Sequence, residues 1–463
     1  MIIAFSTSVI LMGTGCKQEE VSEEIVKEAE ETSEEVEQEI EEEPEQSAIT
    51  TEPIELSFWT LTGPFWFEFK EYYESINPNV TINITAQEFG FLWNMGPTAF
   101  ASGKEDLDFS YYWGGLYVDE LGKEGLLVDL APYYEEYGWS DYMYDGTWEY
   151  KTPGSGMFVL NYAWVASPFM YYNTDIFEEV GVEPPETFED IFDISEKIKA
   201  AGYETWALGA SDAMAIGHLY MQLLARYADK DTYDKYCMWA RLDPSEESAD
   251  IFKIQESKDA FNMIIKLVEE GVLAKGVDVM DDGSARQVFT SGKAAMYSSG
   301  NWGTNNIRGE NPELNFDSFP FPVISNDTQY INNTAISGAF CDCLVIPIST
   351  KENNPEKLAV IVDIMNTLIT DPEVSKMISN IPNSKALPLE ELEKLMDPIT
   401  VQQIREVEAM GYVEAIDVWT GPLRTEPYRA VTQAVVGGKM TAEEAIEEMY
   451  RIALLDLEER VEQ

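Results

Sequence analysis

Three tryptophans follow segments that alternate like β-strands, at the point where each strand is predicted to end. Trp59 closes IELSFW, Trp113 closes DLDFSYYW, and Trp302 follows KAAMYSSGN. In open α/β sheets, ligands bind in the crevice beyond the carboxyl ends of the strands, and nearby glycines allow the backbone to approach closely. The pattern predicts indole rings at the rim of a ligand crevice, and Trp419 in VWTG repeats it. Packing of each ring inside a core is the alternative.

Residues for covalent or acid–base chemistry are poorly represented. His218 is the one histidine, and neither a G-x-S-x-G motif nor a phosphate-binding glycine loop occurs. A catalytic histidine needs partners that the sequence does not show, so a structural histidine on a helix is expected. A glycoside-active enzyme remains an alternative, because the 85 acidic residues can supply a pair of carboxylates about 5–10 Å apart. No catalytic residue and no cofactor is assigned, and we expect a protein that is not an enzyme.

Metal ligands are not predicted either. DKDTYD (229–234) loosely resembles a calcium loop but lacks its glycine and its distal glutamate, so a solvated acidic turn is expected. Cys341 and Cys343 would point to one face of a strand, a geometry that does not favour a bridge. Without a nearby histidine or second cysteine pair they are a poor zinc signal. These two and Cys237 are expected to be small buried thiols.

Strand-like and helix-like segments alternate along the chain. Residues 54–59, 79–87 and 106–113 alternate as strands, and GPFWFEFKEYYESI has helical spacing until Asn77 and Pro78 stop it. Further on, Thr187 and Asp190 have the spacing of a helix capping box, and Gly292 stands where a helix would end. This order predicts an α/β fold with largely parallel sheets.

Length and charge restrict the class of protein. A chain of 463 residues, 45% of them hydrophobic, is too long for one ordinary core, so two lobes of roughly 150 to 250 residues are expected. No apolar run reaches the roughly 18 residues that would span a bilayer. The net charge of -55 repels phosphate backbones and anionic lipid, which argues against a nucleic-acid partner. A saline habitat or a need for solubility explains the charge equally well.

The N-terminus, MIIAFSTSVILMGTGC, resembles the signal segment and lipobox of bacterial lipoproteins, although no Lys or Arg precedes the apolar run and Gly13 stands where Leu is usual. The resemblance implies lipidation of Cys16, and two or more acyl chains would anchor the protein stably. Residues 17–55 contain 17 Glu and two Lys, a net charge of -15 that leaves -40 for the remainder. Such a segment is predicted to be an acidic disordered tether that reaches at most about 130 Å.

Taken together, several segments resemble the extracellular solute-binding proteins of bacterial ABC importers, in the carbohydrate-binding group that includes maltose-binding protein. The matching segments are ELSFWT, INPNVTINI, LDFSYYW with KEGLLVDL, MYYNTDIFEEVGVEPPETFEDI, FTSGKAAMYSSGNW, ISGAF to PIS, and GGKMTAEEAIEEM. They cover nearly the whole chain after residue 54. The resemblance implies an α/β, two-lobed periplasmic-binding-protein-like fold with hinge crossings and an interlobe cleft.

The resemblance also implies boundaries and cleft residues. Lobe one would comprise residues 56–165 plus 338–418, and lobe two residues 170–335 plus 425–463, with crossings near 163–171, 334–340 and 417–426. Trp302 falls on the family's cleft tryptophan and Trp113 on another aromatic beside the ligand, while Trp164 and Tyr171 flank the first crossing. Leu116 lies nearest to a family position that offers a carboxylate to sugar hydroxyls, so the chain departs from the family's pattern there.

A sugar site needs aromatic faces for the C–H patches of the rings and polar groups for the hydroxyls. The polar candidates are Asn301, Asp108, Glu88 and Asp212. The resemblance implies a monomer, held by its lipid anchor in the cell envelope, at the outer face of the cytoplasmic membrane or in the periplasm. It would capture a carbohydrate, expected to be an oligosaccharide, and deliver it to the permease subunits of an ABC transporter. A binding protein for a non-sugar solute and a surface adhesin are the alternatives.

Overall fold

The chain forms two β-sheets whose faces are covered by helices. In a computed structural model, the described residues are 49–61, 64–87, 89–143, 156–211, 214–242, 244–327, 336–378, 381–382, 384–410, 412–414 and 422–462. The strands are β1 (Ile54–Leu61), β2 (Val80–Gln87), β3 (Phe109–Trp113), β4 (Leu160–Ala166), β5 (Phe169–Asn173), β6 (Glu204–Ala207), β7 (Ala294–Ser299), β8 (Phe316–Phe319), β9 (Ile336–Val345), β10 (Ile381–Pro382) and β11 (Tyr412–Glu414).

Helices connect and cover these strands. They are α1 (Phe65–Ile76), α2 (Phe89–Ser102), α3 (Leu116–Lys123), α4 (Ala131–Tyr137), α5 (Trp139–Tyr142), α6 (Thr174–Val180), α7 (Phe188–Ala201), α8 (Met214–Tyr227), α9 (Lys230–Cys237), α10 (Trp239–Leu242), α11 (Gln255–Glu269), α12 (Asp282–Thr290), α13 (Gly303–Glu310), α14 (Ile348–Asn353), α15 (Pro355–Thr370), α16 (Pro372–Met377), α17 (Leu389–Leu392), α18 (Pro398–Met410), α19 (Pro422–Val436) and α20 (Ala442–Glu462). None of the helices in the described part of the chain is both long and apolar enough to cross a membrane.

The two sheets form the two lobes. The larger sheet has the order β10-β4-β9-β3-β1-β2, with β11 beside β9, and the smaller has the order β6-β7-β5-β8. The chain leaves the larger sheet after β4 and enters the smaller at β5, so Ser167 and Pro168 form the first crossing between lobes. This lies within the predicted range of 163–171.

Both sheets are mixed, which corrects the expectation of largely parallel sheets. β1 is parallel to β2 and β3, but β9 runs antiparallel to β3 and β4. Likewise, β5 is antiparallel to both β7 and β8. The reason lies in the crossings, because β5 and β9 each enter a sheet directly from the other lobe. Each of them therefore begins at the edge where its neighbours β4 or β7 end.

Local sequence signals act as predicted. α1 ends at Ile76 and buries Phe65, Phe69 and Tyr73. Thr187 and Asp190 form a reciprocal capping box at the start of α7, in which the side chain of each residue accepts a hydrogen bond from the backbone amide of the other. Gly292 follows the end of α12 with a φ of 71°, the left-handed conformation that glycine adopts at low cost.

The apolar cores follow the sheets. One cluster fills the larger sheet's lobe, and two others cover the faces of the smaller sheet. Ile399, Ile404 and Val407 of α18 pack in a cluster of the smaller sheet, although residues 338–418 were predicted to belong to lobe one. That part of the predicted boundary differs from the packing, because α18 covers β8 and the buried face beside it. Cys237 and Cys343 are buried and take no part in a disulfide, as expected, and the side chain of Cys341 lies outside the described residues.

Candidate functional site

The first crossing lies beside the turn that carries Trp302. Phe169 of β5 pairs with Ser299 of β7, so the residues just before β5 and just after β7 are neighbours at one edge of the smaller sheet. Ser167 in the crossing is hydrogen-bonded to His218 of α8, with 2.9 Å between Oγ and Nδ1. The crossing, α8 and the turn after β7 therefore meet at one place.

Trp302 lies half-buried at the start of α13. Its indole covers Gly300 so closely that a Cβ atom on that residue would lie 1.9 Å from ring carbon Cζ3. The ring also meets the imidazole of His218 edge to face, with 6.2 Å between the ring centroids and 67° between the planes. The SSGN turn before Trp302 thus accommodates a large ring, since only a residue without a side chain fits beneath the indole.

A small cavity opens beside this ring. Its lining residues are Ser167, Pro168, Ala215, His218, Asp282, Ser298, Ser299 and Trp302. The cavity volume is about 10 Å³, which is room for about one water, whereas pockets that hold small molecules measure about 300–1,000 Å³. A sugar ring would therefore enter this site only if the surrounding walls moved apart.

The cavity lining combines polar and apolar groups, and its one carboxylate is already paired. Asp282 accepts a hydrogen bond from the Tyr297 hydroxyl at 2.7 Å and forms an ion pair with Arg286, with 3.2 Å between Oδ2 and Nη1. Burial and the nearby Asp282 carboxylate raise the pKa of Tyr297 well above its ordinary value, so the phenol remains a hydrogen-bond donor. The lining residues include no Lys or Arg. The site thus offers hydroxyls, an imidazole and an indole face, but no cation of its own.

Trp59 and Trp113 do not share a platform. Trp59 pairs with Ser110 of β3, three residues before Trp113, and side chains an odd number of residues apart lie on opposite faces of a sheet. Trp59 is 6% exposed and contacts Phe91 of α2, which places it in the core of its lobe. Its predicted role at a crevice rim is therefore corrected, because the strand register turns the ring under a helix.

Trp113 lies where the two lobes meet. It is half-buried and packs against apolar clusters of both sheets. Leu116 of α3 is a member of the cluster in the other lobe. Trp113 therefore stays a candidate for the cleft, and the apolar Leu116 lies at the boundary between the lobes.

Two other predicted contacts have structural roles. Asp108 accepts a hydrogen bond from the Ser57 amide at 2.7 Å and pairs with Lys357 at 2.9 Å, so it fastens the start of β3 to β1 and α15. Tyr171 is fully buried, and its hydroxyl donates to the Gly300 carbonyl at 2.8 Å. Both residues are corrected from ligand contacts to internal ones, because their polar atoms are bound within the lobe.

The remaining predicted residues divide into two groups. Asn301 is 1% exposed and lies between Gly300 and Trp302 in the turn. Glu88, Asp212, Trp419 and Cys16 lie outside the described residues, as does the side chain of Trp164. Of the nine predicted ligand contacts, the described part of the chain leaves Trp302 half-buried beside the first crossing and Trp113 half-buried between the lobes, with Asn301 in the turn between Gly300 and Trp302.

Sequence reasoning missed Ser167, His218 and Asp282 as lining residues of one cavity. Ser167 stood in the predicted crossing range, but nothing in the sequence pairs it with a histidine 51 positions later. Asp282 is the first residue of α12, where an acidic side chain is also explained by the helix dipole. A position just beyond a strand end was the available signal, and it selects Trp302 alone.

The acidic segment 229–234 was expected to be a turn, but Asp229 caps helix α9 and residues 230–234 form the first part of that helix. Asp229 caps α9 through the Thr232 amide at 2.8 Å, and Asp231 and Asp234 pair with Lys235 and Lys230, each at 2.6 Å. Within the described residues, no three His, Cys, Asp or Glu side chains are grouped closely enough to hold a metal ion.

Comparison with known proteins identifies the family. A family model described as bacterial extracellular solute-binding protein matches residues 59–339. A binding protein of Brucella abortus is 24% identical over 273 residues, which are 57% of this chain and 60% of that protein. An sn-glycerol-3-phosphate-binding periplasmic protein of the same organism is 24% identical over 51% of this chain and 54% of its own length. The chain thus matches somewhat over half the length of these curated relatives.

Solved structures share the fold. One, from work on xylan utilisation by Caldanaerobius polysaccharolyticus, has a TM-score of 0.73 and 20% identity, and covers 86% of this chain and 99% of its own. A chitin oligosaccharide binding protein has a TM-score of 0.71 and 20% identity, with 86% and 98% covered. These matches extend the two-lobed fold over most of the described chain.

Proposed function

Because the chain belongs to the bacterial extracellular solute-binding protein family, we propose that it captures a neutral carbohydrate between its lobes and delivers it to an ABC transporter permease. The observation that carries the proposal is the half-buried Trp302 indole beside a cavity of hydroxyl and imidazole groups at the first crossing. An aromatic face with a few polar groups suits the C–H patches and hydroxyls of a sugar ring. This class of ligand is supported by the structural neighbours, one from work on xylan utilisation and the other a chitin oligosaccharide binding protein.

The charge of the site favours a neutral ligand over a phosphate ester. One relative binds sn-glycerol-3-phosphate, and side-chain recognition of a phosphate is carried mainly by Arg or Lys. The cavity lining contains no Lys or Arg, and the nearby Arg286 is already engaged by Asp282. A net charge of -55 on the whole chain repels an anion.

Hydrolysis is a weaker candidate than binding. A glycoside hydrolase needs two carboxyl groups about 5–10 Å apart on either side of the scissile bond. Among the residues that line the cavity, Asp282 is the one carboxylate, and Arg286 and Tyr297 hold both of its oxygens. The site as described therefore lacks the second acid.

Capture would work through closure of the lobes. The small cavity volume implies that a ligand enters when the walls separate. A ligand that binds the closed form more tightly than the open form then shifts the equilibrium towards closure. We further propose the lipoprotein form, in which Cys16 carries the anchor and the acidic segment between Cys16 and β1 is a tether that holds the lobes away from the membrane. The predicted tether of residues 17–55 is thereby shortened, because β1 begins at Ile54. Loss of palmitate labelling in a Cys16→Ser variant would be the expected result, whereas equal labelling of variant and native protein would exclude this anchor.

Calorimetric titration tests the proposed ligand class. The panel should contain xylotriose, chitotriose and maltotriose, with sn-glycerol-3-phosphate as the anionic alternative. We expect one of the oligosaccharides to bind the native protein and Trp302→Ala to abolish that binding without unfolding the protein. Phe67→Ala is the matched control, because Phe67 is an aromatic residue 47% exposed on α1. Binding of glycerol phosphate alone, or undiminished sugar binding by Trp302→Ala, would refute the proposal.

A further inference from the structure

The turn after β7 contains two glycines, and each makes room for a different aromatic ring. Gly300 lies under the Trp302 indole, as described above. At Gly303, a Cβ atom would lie 2.8 Å from Cε2 and 2.9 Å from the hydroxyl of Tyr171. The turn is thus packed against a fully buried phenol and also carries a half-buried indole.

The Tyr171 hydroxyl fixes the backbone of this turn. The hydroxyl donates a hydrogen bond to the Gly300 carbonyl oxygen at 2.8 Å. That carbonyl oxygen also accepts a hydrogen bond from the Gly303 amide at 2.8 Å. Burial raises the pKa of Tyr171 to about 12, so the phenol keeps its proton at physiological pH and stays a donor. The carbonyl of Gly300, the glycine that lies beneath the indole, is therefore held from two sides.

The Tyr171 hydroxyl is itself held by a residue distant in sequence. Gln403 of α18 donates its side-chain amide to this oxygen at 3.0 Å, and Thr304 lies 3.4 Å away. Tyr171 is the third residue of β5, just after the first crossing, and α18 precedes β11 in the other sheet. A single hydroxyl thus links the crossing, α18 and the turn that carries Trp302.

We infer that Tyr171 and Gln403 are positioning residues that set the orientation of the Trp302 indole through the Gly300 carbonyl. Neither side chain needs to touch the ligand for this role, because Tyr171 and Gln403 are both fully buried. The consequence for binding rests on the proposed function, whereas the consequence for the ring does not. The two can therefore be tested separately.

Fluorine NMR of protein labelled with 5-fluorotryptophan reports the ring directly. A Trp302→Phe variant assigns the Trp302 resonance, and spectra of Tyr171→Phe and Gln403→Leu are then recorded without any sugar. We expect the Trp302 resonance to shift or broaden in both variants. Tyr220→Phe is the matched control, since Tyr220 is another fully buried tyrosine of the same lobe, bonded to Tyr236 and Ser257 at 2.8 Å each. It should lose comparable stability and leave the Trp302 resonance unchanged.

Titration with xylotriose, chitotriose and maltotriose adds the binding measurement. Loss of one hydrogen bond is expected to weaken binding of the recognised trisaccharide by about threefold to tenfold in Tyr171→Phe and Gln403→Leu. An unchanged Trp302 resonance in folded Tyr171→Phe and Gln403→Leu would overturn the inference. A shifted resonance in a protein whose native form binds none of the three sugars would leave the positioning role standing and remove the proposed ligand class.

Discussion

Substitution of Gly300 by alanine tests the seat of Trp302 with a single methyl group. The φ angle of Gly300 lies outside the left-handed region that only glycine adopts easily, so alanine is compatible with the backbone. The added Cβ would lie 1.9 Å from Cζ3, 2.2 Å from Cη2 and 2.3 Å from Cε3 of the Trp302 ring. The strain therefore falls on the ring alone, and the ring must leave its position.

The size of the effect follows from these distances. Ordinary van der Waals contact begins at 3.4 Å, so the indole must retreat by about 1.5 Å, the difference between that value and 1.9 Å. A half-buried ring can swing outwards, so the free energy of unfolding should fall by only about 1 kcal/mol, the lower end for overpacking. A sugar that stacks on the displaced ring loses about 1.5–3 kcal/mol, which weakens binding about 10- to 150-fold.

The assay combines calorimetric titration against the trisaccharides with thermal unfolding. Gly309→Ala is the matched control, because Gly309 lies on α13, and a Cβ there meets nothing within 4 Å. Alanine should stabilise that helix by about 0.5–1 kcal/mol and leave the affinity unchanged. Native affinity in Gly300→Ala, with the fluorine resonance of Trp302 also unmoved, would refute the reasoning that the ring needs a bare backbone beneath it.

Two further substitutions separate stability from binding. Asp108→Asn breaks the buried ion pair with Lys357. It should lower the free energy of unfolding, measured in urea, by about 1–3 kcal/mol and leave the sugar affinity unchanged. A loss of affinity without a loss of stability would show that Asp108 contacts the ligand. Burial raises the pKa of Asp363 above 3.8, although Tyr73 donates to it at 2.6 Å. The stability that this carboxyl contributes is therefore present below pH 3.8 and lost as pH rises through the raised pKa. At pH 7, Asp363→Asn should accordingly unfold at the same temperature as the native protein or at a higher one. The difference in unfolding temperature should shrink towards acid pH. A lower unfolding temperature of the variant at pH 7 would contradict this.

Local patterns predicted the elements well because local interactions fix them. The helical spacing from Phe65 to Ile76, the Thr187 cap and Gly292 beyond the end of α12 each act within one or two turns of chain. The directions of β5 and β9 could not be predicted from local sequence patterns. Each depends on the lobe from which the strand arrives, which is a property of the crossings and not of the strand's own residues.

The predicted site failed where its evidence needed the register of a sheet. Trp113 ends β3, but Trp59 lies two residues before the end of β1, and its pairing with Ser110 puts the two rings on opposite faces. A shift of one residue reverses the face of every side chain in a strand, and no spacing within one strand reveals its register with the next. Asp108 failed for a related reason, since its partner Lys357 is 249 residues away.

Register also explains why Trp302 retained its position as a candidate. The pairing of Phe169 with Ser299 places the first crossing directly beside the turn after β7. Any rotation of the lobes about Ser167 and Pro168 therefore acts next to Gly300, whose carbonyl Tyr171 holds from inside the lobe. A ligand stacked on the indole binds most tightly when the crossing, the turn and the ring adopt one arrangement together. Its binding therefore stabilises the lobe orientation in which they do so. Capture of a solute and closure of the lobes would in this way depend on the same strand pair.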